Sequence, residues 1–156
     1  MPRKRSIGVI ADTHGLLRAE AVAALRGCDL IIHAGDVGSP DVLAALRGLA
    51  PLIAVRGNVD KGAWATQLPQ SELVDIDDCY LYVLHILEEL DLDPSAAGFR
   101  AVITGHTHRA KIETRQGVLY FNPGSAGPRR FDLPVTVGRL ELADGRLSGK
   151  IIDLAT

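Results

Sequence analysis

The stretch Ser6-Ile7-Gly8-Val9-Ile10-Ala11-Asp12-Thr13-His14-Gly15 decides the architecture. Ser6 to Ala11 is a short, largely apolar run with β-branched residues, which reads as a buried strand, and it gives way abruptly to a polar loop. Working outward, the same unit recurs. Leu16, Leu17, Ala19, Ala23 and Leu25 form a helical stripe from Leu16 to Arg26, with Gly27 where a helix stop belongs. Leu30 to Ala34 is a second strand running into Gly35-Asp36-Val37-Gly38. Ser39-Pro40 then supplies a cap and a first-turn proline for a helix to about Arg47. Leu52 to Val55 is a third strand, followed by Gly57-Asn58-Val59-Asp60. Strands alternating with helices predict βαβ units and a mostly parallel sheet, and right-handed crossovers place all three polar loops along one sheet edge.

The second half is richer in strands. Residues 71–85 read as two strands around a turn at Asp77-Asp78, the second ending at His85. A helical segment holding Leu87, Leu90 and Ala97, interrupted near Asp93-Pro94, leads to a strand over Ala101 to Thr104 and then to Gly105-His106-Thr107-His108. Further strands are expected at 110–115, 117–121, 135–142 and 146–152, with Asp144-Gly145 as a hairpin turn. No internal repeat, low-complexity run or linker interrupts the sequence, so residues 1–156 are expected to form a single α/β domain.

Composition narrows the function. The chain is 47% apolar and 23% charged, ordinary for a globular protein and too apolar for disorder. A formal charge of −2 supplies no global positive field, which argues against an extended nucleic-acid track and makes any phosphate chemistry local. Cys28 and Cys79 are the only cysteines, and they have neither metal-type spacing nor the density of a disulfide scaffold. Met1-Pro2-Arg3-Lys4-Arg5 is basic, but the apolar run after it is short and broken by Asp12 and His14, unlike a signal peptide. No segment has the apolar length of a bilayer span. A cytoplasmic protein with no membrane partner is expected. Unpaired apolar strand edges in the C-terminal half suggest pairing into a homo-oligomer.

Asp12 and His14 stand two apart at a strand end, where that spacing points both side chains the same way, one a hard oxygen donor and the other an imidazole. Alone the pair is a weak signal. Asp36 adds to it, following a second apolar strand and a glycine that permits a sharp turn, and Asn58 does the same after the third strand. His85, His106 and His108 end two later strands. Four of the five histidines thus sit at strand ends, whereas His33 lies inside a strand and reads as a packed, supporting residue.

Asp12-Thr13-His14, Gly35-Asp36, Gly57-Asn58-Val59-Asp60, His85 and Gly105-His106-Thr107-His108, in this order, resemble the signature of the calcineurin-like metallophosphoesterases. Asn122-Pro123-Gly124-Ser125 is similar to a segment of the small bacterial and archaeal phosphodiesterase branch, and the resemblance runs from residue 7 to about 130. It implies a four-layer-like sandwich of two mixed β-sheets flanked by helices. It further implies two divalent metal ions, one held by Asp12, His14 and His108, the other by Asn58, His85 and His106, with Asp36 shared between them. Such a pair sits roughly 3.5–4 Å apart in two-metal hydrolases. The mixed oxygen and nitrogen donors suit Mn²⁺ first, with Fe²⁺, Zn²⁺, Ni²⁺ or Mg²⁺ as alternatives. The implied reaction is phosphodiester hydrolysis of a small phosphoester by in-line attack of a hydroxide bridging the metals, with Asp36 and Asn58 in the catalytic positions.

The chain departs from the family twice. Val59 stands where many members carry a histidine thought to protonate the leaving group, and valine cannot do so; Asp60 is either a substitute or a loop anchor. Ile86 stands where glycine commonly follows the single histidine. Arg129 and Arg130 are the candidate substrate contacts, with Arg56 and Arg109 also beside motif loops. Ser125 reads as a turn residue and not a nucleophile, and Trp64, Tyr80, Tyr82 and Tyr120 as packing or cleft residues. The alternative reading is a metal-bound scaffold without turnover, as in a retromer subunit of the same fold.

Overall fold

The computed structural model describes residues 4–155, so the first part of the basic start, Met1 to Arg3, lies outside the described residues. Strand β1 (Arg5–Ile10) pairs in parallel with β2 (Leu30–His33), Ile7 opposite Leu30 and Ile10 opposite His33, and β2 pairs in parallel with β3 (Leu52–Ala54). On its other side β1 is antiparallel to β9 (Thr136–Ala143), which turns into β10 (Arg146–Asp153). That turn is Asp144-Gly145, both in the left-handed region at φ 54 and 74, the twist a two-residue hairpin requires. The first sheet is therefore mixed, in the order β10-β9-β1-β2-β3.

The second sheet has the order β4-β5-β6-β8-β7. Strands β4 (Ser71–Ile76) and β5 (Cys79–Leu84) form the expected hairpin at Asp77-Asp78. β6 (Ala101–Ile103) runs parallel to β5 and to β8 (Val118–Asn122), and β7 (Lys111–Arg115) closes the edge antiparallel to β8. Alternation along the strands turns Ile7, Val9, Ile32, Leu81, Val83, Ile103 and Phe121 inward into one core between the sheets. Burying each such side chain contributes about 1.5–3 kcal/mol.

The outer face of the first sheet is covered by α1 (Ala19–Leu25) and α2 (Pro40–Arg47), which bury Ala21 and Leu25, and Val42, Leu43 and Leu46, against it. Ser39 caps α2 as its sequence suggests, its Oγ accepting from Asp41 N at 3.2 Å. A short helix α3 (Ala63–Thr66), which the sequence reading did not anticipate, packs Trp64 on the same cluster. The outer layer of the second sheet is thin. The helical segment expected around Leu87 to Ala97 is only a 3₁₀ turn at Leu87–Glu89 followed by a separate turn. Pro94 disfavours helix at Asp93, and Asp93 Oδ1 instead accepts from Ser95 N and Ala96 N at 3.1 and 3.3 Å, a local bonding pattern that competes with a helix. Among the described residues no helix is long and apolar enough to cross a membrane.

Candidate metal centre

The loops after β1, β2 and β3 emerge at one edge of the first sheet, and those after β5 and β6 emerge beside them from the second. All seven candidate ligands lie on these loops. Their backbone is held in an uncommon state: Asp12, His14, Asp36, His106 and His108 all have positive φ, between 48 and 75. For residues with a Cβ such conformations cost free energy, so the surrounding bonds must impose them. Asp12 N donates to Gly35 O and His14 N to Asp36 O, both at 3.0 Å, which ties the first loop to the second. Gly57 permits the closest approach, since a Cβ there would meet the backbone nitrogen and a carboxylate oxygen of Asp36.

The side chains fall into two groups. Asp12, His14 and His108 bring one donor atom each within 4.8 Å of the others, and so do Asp36, His85 and His106. The first group touches through His14 Nε2 and His108 Nε2, 3.4 Å apart. The groups meet at Asp36, whose Oδ2 is 3.8 Å from His14 Nε2 and 3.1 Å from His85 Nε2. Asn58 joins the second group, its Oδ1 3.2 Å from His106 Nδ1. Asp12 Oδ1 lies 3.6 to 3.9 Å from the Nε2 atoms of His108, His85 and His14 and is buried without a hydrogen-bond partner. His85 Nε2 is likewise buried without one.

Neighbouring groups fix these donors. His85 Nδ1 donates to Ala34 O at 2.7 Å, leaving the Nε2 lone pair to face the cluster. Asp12 Oδ2 accepts from His106 N and Asp36 Oδ1 from Val59 N, both at 3.0 Å. Asp60 is spent on the backbone: its carboxylate accepts from Val37 N, Gly38 N and Gly57 N at 3.2, 2.9 and 2.9 Å, so it anchors loops. His33 is fully buried beneath the site, accepting from Gly35 N at 3.1 Å and reaching Thr13 Oγ1 at 3.0 Å, while Thr13 donates to Val37 O. Asn122 holds the last loop by donating to Gly105 O and Thr107 Oγ1 at 3.0 and 3.2 Å. Ser125 Oγ donates to Asp12 O at 3.1 Å, a structural role.

Electrostatics follow burial. Desolvation lifts the Asp12 carboxyl to about 7, and the same effect lowers His108 to about 4, helped by the positive charge of Arg130. Burial also lowers His14. For Asp36 burial opposes ionisation, yet contact with His85 and the Val59 N–H bring its carboxyl below the ordinary range. Burial opposes protonation of His85 too, but Asp36 and the Ala34 carbonyl outweigh it and raise the group. Arg130, exposed on the loop after Ser125, thus makes its charge felt at Asp12, His14 and His108, with Arg129 exposed beside it. Arg56, Asn58, His85, Ile86 and Glu89 line a cleft of about 200 Å³ on the other flank. Ile86 has φ −113, an ordinary extended value, so nothing in its backbone calls for glycine.

The fold is a two-sheet α/β sandwich whose candidate metal-binding clusters lie where loops of the two sheets meet. The chain belongs to the calcineurin-like phosphoesterase superfamily, whose domain profile matches residues 6–145. It is 35% identical over 148 residues to a probable metallophosphoesterase of Methanothermobacter thermautotrophicus, covering 86% of each. Among solved structures, an archaeal phosphodiesterase superposes with a TM-score of 0.78 at 25% identity, covering 94% of this chain and 99% of the other. Vacuolar protein sorting 29 of Cryptosporidium parvum superposes with a TM-score of 0.78 at 18% identity, covering 96% and 97%, which is a likeness of fold.

Proposed function

We propose that the chain is a dinuclear phosphodiesterase of small phosphoesters, and the observation that carries this reading is the buried Asp12 Oδ1, without a hydrogen bond, among three imidazole nitrogens. Two donor atoms each about 2.1 Å from one ion stand roughly 3–4 Å apart, so these separations suit atoms converging on a cation better than hydrogen-bonded pairs. The donor set fits: Asp12, His14 and His108 would hold one divalent ion, Asn58, His85 and His106 the other, and Asp36 both. Its oxygen and imidazole mixture favours Mn²⁺, then Fe²⁺, Zn²⁺, Ni²⁺ or Mg²⁺. When bound, two such ions supply positive charge to the phosphoryl oxygens and acidify water for in-line attack.

The chain's own residues set the scope. Arg130, whose charge is felt at Asp12, His14 and His108, is the side chain that would meet the negative charge of a substrate phosphate. Val59 carries no proton to give, and both Asp60 oxygens are engaged by backbone donors, so neither protonates a departing oxygen. Diesters with acidic leaving groups, such as aryl esters, are therefore the expected substrates. The free, buried Cys28 and Cys79 suit a reducing cytoplasm. A scaffold role without turnover draws on fold likeness alone. In the presence of manganese, wild-type protein should hydrolyse bis(4-nitrophenyl) phosphate and Asp36→Asn should not. Activity retained in that variant would falsify the shared position of Asp36, and an inert wild type with every one of these metals would leave the scaffold reading standing.

A further inference from the structure

A second cleft, of about 400 Å³, opens beside His106 on the outer face of the second sheet, where the thin covering layer leaves the strands accessible. Its lining differs from that of the metal centre. Leu87 and Tyr120 give it an apolar, aromatic surface, and Arg109, Lys111 and Arg115 bring three cations to it. Lys111 and Arg115 alternate along β7, so both project on the same side as Glu113, which holds them at 2.9 and 3.0 Å. Glu113 is opposite Tyr120 on β8, and the Arg115 guanidinium lies over the Tyr120 ring, 4.7 Å from its centroid. The cation is thus clamped between a carboxylate and a ring. With Glu88 the only other carboxylate at the cleft, these groups leave one positive charge over, in a chain whose net charge is −2.

We propose that this cleft receives the organic arm of the substrate and selects a flat aromatic arm carrying one carboxylate. This rests on the phosphodiesterase reading, which places the reacting phosphorus beside His106. A flat ring matches the apolar side of the cleft at Leu87, and a monoanion matches the single surplus charge, with Arg115 held in place by Glu113 and Tyr120 and its N–H groups outside the Glu113 contact available to a carboxylate.

The test keeps the leaving group constant. Manganese-loaded protein is given 4-nitrophenyl phenyl phosphate and 4-nitrophenyl 4-carboxyphenyl phosphate, and nitrophenolate release is followed. The carboxylated ester should have the higher kcat/KM by roughly tenfold, carried mainly by KM and shrinking as salt is added. Arg115→Gln and Lys111→Gln, each with an unchanged circular dichroism spectrum, should reduce that ratio toward one, and Arg115→Lys should keep part of it. In parallel, calorimetry compares binding of phenylphosphonate and 4-carboxyphenylphosphonate, which needs no turnover. Turnover of both esters without preference, or a preference that survives both glutamine variants, overturns the subsite and leaves the hydrolase reading intact. No turnover, with a carboxylate preference in binding that both variants abolish, upholds the subsite and overturns the hydrolase reading.

Discussion

The two sheets contribute to the centre in different ways. Among the candidate ligands, the first supplies every oxygen donor, Asp12, Asp36 and Asn58, with one imidazole, His14; the second supplies imidazoles only, His85, His106 and His108. The oxygen side is backed by helices α1 and α2 and stitched by loop-to-loop hydrogen bonds, whereas the imidazole side is backed by one 3₁₀ turn and opens onto the basic cleft. The carboxylates therefore all come from the helix-backed half. The open half completes the donor set and leaves room for a ligand.

The largest expected effect tests this division directly. Asp12→Asn should lower kcat/KM for an aryl diester by more than about a hundredfold, beyond the cost of losing a supporting group, and His106→Ala, on the exposed imidazole side, by less. Equal losses would erase the distinction. Next comes Asp60→Ala, which strands three backbone donors under the first-sheet loops. It should cost about 1–3 kcal/mol in denaturant unfolding. An unaffected midpoint would show that Asp60 is not the anchor of the first-sheet loops.

His33 sharpens the comparison through pH, because it lies under the first-sheet loops. Burial pushes it down to about 3. Between pH 6.5 and about 3 the unfolded chain protonates this histidine while the folded chain leaves it neutral, so the folded state binds fewer protons and its stability falls as pH falls. The slope from this residue is about 1.4 kcal/mol per pH unit. The raised carboxyl of Asp12 contributes with the opposite sign over much of the same range, so the readout is a difference: in metal-free protein unfolded in urea, His33→Gln should lower the slope by about one proton relative to wild type. The smallest effect lies at the far end of β1. Arg5 bonds Asp77 at 2.9 Å on the surface, and Arg5→Gln should leave both the unfolding midpoint and activity at wild-type values.

Much of the first half was legible in the sequence, because βαβ units announce themselves by alternating apolar runs and caps, as Ser39-Pro40 does, and because crossover handedness then aligns the loops. The supporting role of His33 also followed from its place inside a strand. The second half was read less fully. Leu87, Leu90 and Ala97 have helical spacing, but Asp93-Pro94 diverts the chain into turns, and α3 is too short for periodicity to reveal. The basic cleft was invisible because Arg115 meets Tyr120, and Glu113 stands opposite it, only through the register of β7 on β8, which no local pattern encodes. The engagement of Asp60 with three backbone donors likewise depends on where separate loops come to rest.

Asp36 accepts from Val59 N in the loop after β3, while Asp60 of that loop accepts from Val37 N and Gly38 N in the loop after β2. Each loop thus holds the other. On the proposed two-ion reading, an ion that settled the carboxylate of Asp36 would also settle Asn58, so loading of the first position would prepare the second. Titration of metal into the apo protein should accordingly be sigmoidal, with a Hill coefficient above one and up to about two, and cutting the stitch at Asp60 should lower that coefficient.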